Sequence, residues 1–318
     1  MRIAFHIDQL DVRGTTVALY DYAHYNELIL HNQSVVIVPT SGLLKSDIEA
    51  IERVTKRFRV LLYDKNSIDT VLENEKIDLL YCIKYGKNDG VFSIKVKTVV
   101  HCVFDMSDPH GNVYAGVSQS LAKKYNSSLF VPHMIGLCPS TDPNDNLRSV
   151  LGIPPTARVF GRYGGMDTFD IPFCWNVINR IVSTFTDIYF LFINTPKRVI
   201  HKNVIHLNKI TTEKEKNRFI HTTNAHLECG TLGHSFGLAI GEFSVNNKPI
   251  IAYKSPLLWN TAHLDILGDR GLYFTNEQSF YNLLTRFDPN TFKNKDLNCY
   301  KEYTPVKVME KFKKVFLE

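Results

Sequence analysis

The chain lacks cysteine pairs of the kind that build a zinc site or a disulfide framework. Its six cysteines, Cys82, Cys102, Cys138, Cys174, Cys229 and Cys299, stand far apart with no C-x-x-C among them. Several fall in apolar runs such as LLYCI, so they read as reduced, buried thiols. Dense basic blocks are missing too. A net charge of +5 is spread along 318 residues, which permits an anionic ligand and argues against a nucleic-acid reader. No run approaches the ~20 apolar residues of a membrane span, and no basic segment leads into an apolar one at the start. The expectation is a cytoplasmic protein that works as this whole chain, with no transmembrane segment and at most peripheral membrane contact. G-x-S-x-G, H-E-x-x-H and Walker loops are absent. Asp8 and Asp11 stand near the first loop without acidic companions, so no metal is expected.

What the chain does have is alternation. RIAFHID, SVVIVPT, RVLLYD, DLLYCIKYG and TVVHCVFD are branched apolar runs, with the helical patterns TTVALYDYAHYNEL and KSDIEAIERVTKRF interleaved among them. That is the rhythm of a parallel sheet covered by helices on both faces. It resumes in ARVFGR, IYFLFINT, VIHL, AHLEC, PIIAY and GLYF, with helices at Pro172, in TEKEKNRFIHTT and in EQSFYNLLTRF. Between the two series, Pro139, Ser140, Asp142, Pro143, Asn144 and Asp145 form a turn-rich boundary. The domains are therefore expected at 1–140 and 147–303, with 304–318 a closing amphipathic helix.

Three turns carry the candidate chemistry. Arg13-Gly14-Thr15 joins the first strand to the first helix, where glycine permits close approach and Thr15 can cap the helix. Either a phosphate or sugar rests there, or it is an ordinary strand-to-helix turn. Arg162 ends a strand beside the glycines of GRYGG, suited to a bidentate contact with a diphosphate. The most informative stretch is 225–253: a strand, a glycine turn, a helix FGLAIGEFSV whose opening carries Ser235 and Gly237, and a strand. Helix N-termini beyond the carboxyl ends of such strands present free N–H groups, which makes an anion site. Glu242 follows His234 by eight residues, a little over two helical turns, so the two can flank one ligand, with the carboxylate accepting from ribose hydroxyls. In the first half His101 and Asp105 end a strand-like run, and His110 sits in the loop after it.

In this order, R-G-T, G-R-Y-G-G and H-S-F-G-L-A-I-G-E-F resemble retaining GT-B glycosyltransferases, the glycosyl transferases group 1 family, and within it virus-encoded and bacterial members. The resemblance spans nearly the whole chain. It implies an α/β fold of two Rossmann-like doubly wound parallel-sheet domains facing a cleft, the first for the acceptor and the second for the donor, with the last helix packing back onto the first domain. The implied reaction is metal-independent transfer of a hexosyl or pentosyl group, with retention, from a nucleoside-diphosphate sugar to a hydroxyl of a glycan, glycoprotein or glycolipid. The nucleotide sugar is a co-substrate, and no cofactor is implied. His101 or His110 would orient the sugar; Gly14, Thr15, Arg162, His234, Ser235, Phe236, Gly237 and Glu242 would hold the donor.

Two departures stand out. His234 occupies a position where the family has a carboxylate. After Arg162 the family has a lysine, and this chain has Asp167 and Asp170. Lys197, Arg198 or the helix N-terminus at Ser235 are the candidate replacements for the lysine. These departures define the alternative reading, a GT-B-shaped protein that binds a nucleotide or glycan without catalysis.

Overall fold

A computed structural model of the chain describes residues 1–318 apart from Lys65, Asn66, Pro143 and Thr211. Pro143, part of the expected boundary, therefore lies outside the described residues. The chain divides into two units: Met1–Gly136 with Glu302–Glu318, and Leu137–Lys301.

The first unit holds six strands, β1 (Arg2–His6), β2 (Gln33–Pro39), β3 (Val60–Tyr63), β4 (Leu79–Lys84), β5 (Lys97–Cys102) and β6 (Val113–Gly116). They lie in the order β3-β2-β1-β4-β5-β6, and every pairing is parallel. All of β4 is buried, as befits a strand covered on both faces. Helix Gly14–Leu28 packs beside β2 and buries Leu19, Tyr22, Ala23 and Asn26, the i, i+3, i+4, i+7 set of one helical face. The closing segment forms a helix over Pro305–Phe312 that continues as one π-helical stretch, Lys313–Leu317. Its Val308, Met309, Phe312 and Phe316 belong to the first unit's core. Val306 is exposed, because the buried stripe runs through 308, 312 and 316 at four-residue spacing.

The second unit holds β7 (Arg158–Arg162), β8 (Ile188–Ile193), β9 (Val204–Leu207), β10 (Ala225–Glu228), β11 (Gly233–His234), β12 (Ile250–Tyr253), β13 (Asn260–Thr261) and β14 (Leu272–Phe274). Six of these make a parallel sheet in the order β14-β12-β10-β7-β8-β9. β11 and β13 pair separately as a two-stranded ribbon. Read from β9, the large sheet has the topology of the first unit's sheet. In each, the strand order reverses between the two central strands, β1 and β4 in one, β7 and β10 in the other. The crevice beyond the carboxyl ends of such a pair is where doubly wound sheets bind ligands.

Candidate functional site

Arg162 is the last residue of β7 and Glu228 the last of β10, so a cation and an anion flank the switch point of the second unit. Both are buried, and a buried charge needs compensation. Arg162 finds it in the loops that follow β7 and β8. Its Nη1 donates to Asn194 O at 3.1 Å and Thr195 Oγ1 at 2.7 Å. Its Nη2 donates to Gly165 O at 2.8 Å and to the Thr168 hydroxyl. Burial lowers the guanidinium below its ordinary value, opposed by the negative charge of Glu228 and by Cys229 and Asp170. The two terminal nitrogens expected to grip a diphosphate thus engage the segment after β8 and the Tyr163–Asp170 loop respectively.

Glu228, which the sequence reading passed over inside the apolar run AHLEC, is the centre of the constellation. One carboxylate oxygen, Oε2, lies 2.9 Å from His234 Nε2 and 3.8 Å from His226 Nε2. Oε1 is buried and accepts no hydrogen bond among the described residues. Burial alone would raise the carboxyl, but His234, His226 and Arg162 outweigh it and hold the group well below the usual carboxylate range. Gly230 makes this approach feasible, since a Cβ there would come within 2.8 Å of Thr168 O and 3.0 Å of Glu228 Oε1. Asp170 staples the two loops together, accepting from Thr231 N at 2.8 Å and Thr231 Oγ1 at 2.6 Å.

His234 sits on β11 with a quarter of its side chain exposed. Its backbone N–H donates to His263 Nδ1 at 3.3 Å, and the two rings meet edge to face at 5.3 Å. Burial, with His234 beside it, pushes His263 down to about 3, so it is a neutral acceptor. Ser235 and Phe236 are buried, and Phe236 O accepts from Tyr300 at 2.9 Å. The helix begins later than expected, at Leu238, with Gly237 as its cap at φ +89°. A left-handed cap is open to glycine at little cost. Ser235 consequently stands ahead of the helix and is not its first turn.

Glu242 is buried, with Oε2 accepting from Tyr163 at 2.7 Å and Oε1 paired with Lys216 Nζ at 2.5 Å. Lys216 comes from helix Glu213–Thr222, read from sequence only as a polar helix. Lys197 and Arg198, the candidates for the missing lysine, are both exposed.

The remaining candidates lie in the first unit. Gly14 opens its helix, but the N-cap is Arg13, without a side-chain hydrogen bond. Thr16, rather than Thr15, closes the turn by bonding Asp11. His101 is fully buried, between Tyr81 OH, 2.6 Å from Nδ1, and Val131 O, 2.7 Å from Nε2. Burial pushes it down to about 4, partly offset by hydrogen bonds to backbone. Both ring nitrogens are engaged within the first unit. His110 is half-buried, with Nδ1 donating to Asp108 O at 2.7 Å, while Nε2 makes no hydrogen bond among the described residues.

Among the described residues no His/Cys/Asp/Glu cluster could hold a metal ion, and no helix is long and apolar enough to cross a membrane.

No protein-family model matches the chain, and no curated protein does. Solved structures do match it. HepE from Anabaena, solved with UDP and glucose, aligns with a TM-score of 0.74 at 13% identity, over 99% of this chain and 98% of that one. The pneumococcal O-GlcNAc transferase GtfA, solved with UDP and GlcNAc, aligns at 0.69 and 9% identity, over 100% and 98%. WaaG, a glycosyltransferase of lipopolysaccharide biosynthesis, aligns at 0.68 and 8% identity, over 98% and 99%. At these identities the likeness is one of fold, and the fold is GT-B.

Proposed function

We propose that this GT-B chain is a glycosyltransferase that binds a nucleoside-diphosphate sugar in its second unit and transfers the sugar, with retention and without a metal, to a hydroxyl of a glycan or glycoconjugate. The observation that carries this reading is the polar constellation Arg162, Glu228 and His234 at the carboxyl ends of β7 and β10, where the strand order reverses. Arg162 fixes the glycine loop. Glu242 and Lys216 form a preformed pair whose carboxylate can exchange a protein donor for ribose hydroxyls. Lys216, paired with that carboxylate, carries a positive charge of the kind that stabilises a departing diphosphate. The acceptor falls to the first unit.

UDP is the first nucleotide to test, since HepE and GtfA were solved with it. Incubation with UDP-glucose and UDP-GlcNAc should release UDP slowly by hydrolysis, and faster with a sugar acceptor present. A second reading, a nucleotide- or glycan-binding protein that does not catalyse, is favoured by the fully committed ring of His101. Tight binding of the nucleotide sugar with no nucleotide release across an acceptor panel would select it.

A further inference from the structure

Two aromatic rings stand in the open at the carboxyl end of the first unit's sheet. Tyr85 directly follows β4, one of the two strands at which the order reverses, and Phe104 lies two residues beyond β5. Tyr85 is 54% and Phe104 38% exposed, while their ring centroids lie 5.6 Å apart at an interplanar angle of 40°. The backbone beneath them is braced. Tyr85 O accepts from the N–H of Phe104 and of Asp105, each at 3.0 Å, and Val103 N donates to Lys84 O at 2.9 Å. Gly86, at φ +134°, passes so near this junction that a Cβ on it would come within 1.8 Å of Asp105 O. Its own carbonyl accepts from Tyr114 on β6 at 2.6 Å. A fixed scaffold thus presents both rings to water, at the end of the sheet where doubly wound folds take their ligands.

Such a pair suits a ligand with one apolar face and a polar edge. The face of an aromatic ring is electronegative, so it attracts C–H groups polarised by neighbouring oxygens, which is what one face of a pyranose offers. Hydroxyls at the edge of that ring would find both kinds of partner beside Phe104. Lys87 Nζ lies 3.5 Å from Asp105 Oδ2 and donates to the Ser107 hydroxyl, so a donor and an acceptor stand side by side. Charge then selects among ligands that could stack. The loops 85–91 and 103–112 carry Lys87 against Asp89, Asp105 and Asp108, and Lys84 beneath them is buried and paired with Asp89. A nucleotide, a phosphorylated lipid carrier or an anionic membrane would meet net negative charge there. We infer that Tyr85 and Phe104 form a stacking platform for the acceptor, and that the acceptor presents an uncharged pyranose ring to it. This rests on the proposed glycosyltransferase reading, and it narrows the glycan or glycoconjugate of that reading to one displaying a neutral sugar.

Saturation-transfer NMR with the methyl glycosides of glucose, galactose, mannose and N-acetylglucosamine tests the platform without a donor present. At least one of them should receive saturation chiefly at the C–H protons of one ring face. Its affinity should fall about three- to tenfold in Tyr85→Ala and in Phe104→Ala, as one aromatic contact is worth, and should stay at the parental value in Tyr85→Phe, which keeps the ring. Each variant is first checked for an unchanged melting profile, and calorimetry should return the parental affinity for UDP-glucose in all three. If the parent binds none of the four glycosides, or if binding survives Tyr85→Ala combined with Phe104→Ala, the inference is overturned. It is overturned equally if glucose 6-phosphate or UMP binds at the rings more tightly than every glycoside, or if UDP-glucose loses as much affinity as the glycoside does. Should a glycoside bind at the rings while UDP-glucose and UDP-GlcNAc release no nucleotide in its presence, the acceptor role fails with the transferase reading, and the neutral-sugar platform stands.

Discussion

Glu242 shows how far a single residue's setting can differ from its surroundings in sequence. Its place on a helix was legible in the run FGLAIGEFSV, but its partners were not, because Tyr163 and Lys216 come from β7's end and from another helix. Removing a buried acceptor strands its donors, at a cost of about 1–3 kcal/mol. Glu242→Ala should therefore lower the unfolding free energy by about that amount in urea, and Lys216→Met added to it should cost less than it does in the parent chain. Full parental stability in Glu242→Ala would mean that the pair is dispensable. Glu228 was missed for a related reason. Its signal was present as a carboxylate inside an otherwise apolar strand, a placement that demands a partner, but its nearest partner, His234, stands six residues on and on another element, β11. His101 went the opposite way: a histidine near a strand end was read toward a ligand, while Tyr81 and Val131, far off in sequence, satisfy it in the core.

At the scale of the element, long branched runs announced the strands of both sheets, since a strand buried on two faces must be apolar along its length. Short elements escaped. β6 is four residues, VYAG, and β11 and β13 are two each, too brief for any period to show. The apolar run LFVPH contributes a single bridge, Phe130 to Gly116; Pro132 has no N–H to extend it. The first sheet makes a pH prediction. His6 ends β1 and is pushed down to about 3 by burial, reinforced by Lys84 and opposed by Asp89. His101 on β5 is pushed down to about 4 by burial, and His133 well below its ordinary value by burial, with His101 adding to it. Such rings are neutral in the fold, whereas the unfolded chain takes up protons near 6.5, so the stability they carry is present above about pH 6.5 and lost as pH falls toward 4. Each ring contributes a slope of at most about 1.4 kcal/mol per pH unit. Unfolding free energy should already fall between pH 6.5 and 5, before most carboxylates titrate, and His6→Gln should make the fall shallower. A flat profile over that range would contradict the burial of these rings.

For the molecule as a whole, the doubling of one topology explains both what was legible and what was not. Each unit carries its own core and its own reversal of strand order, and the alternation of apolar runs showed both. Alternation says nothing about which of the two crevices holds charge suited to a nucleotide sugar. That follows from Arg162, Glu228, His234, Lys216 and Glu242 gathering in the second unit, through contacts that span up to 79 residues of chain. The most direct test of this account is hydrogen exchange, read by mass spectrometry, with and without UDP-glucose at a concentration that calorimetry shows to be saturating. The account predicts that exchange slows first and most in peptides covering 162–170 and 228–242. Saturating ligand that slows exchange only in the first unit, and leaves those two segments unchanged, would contradict it.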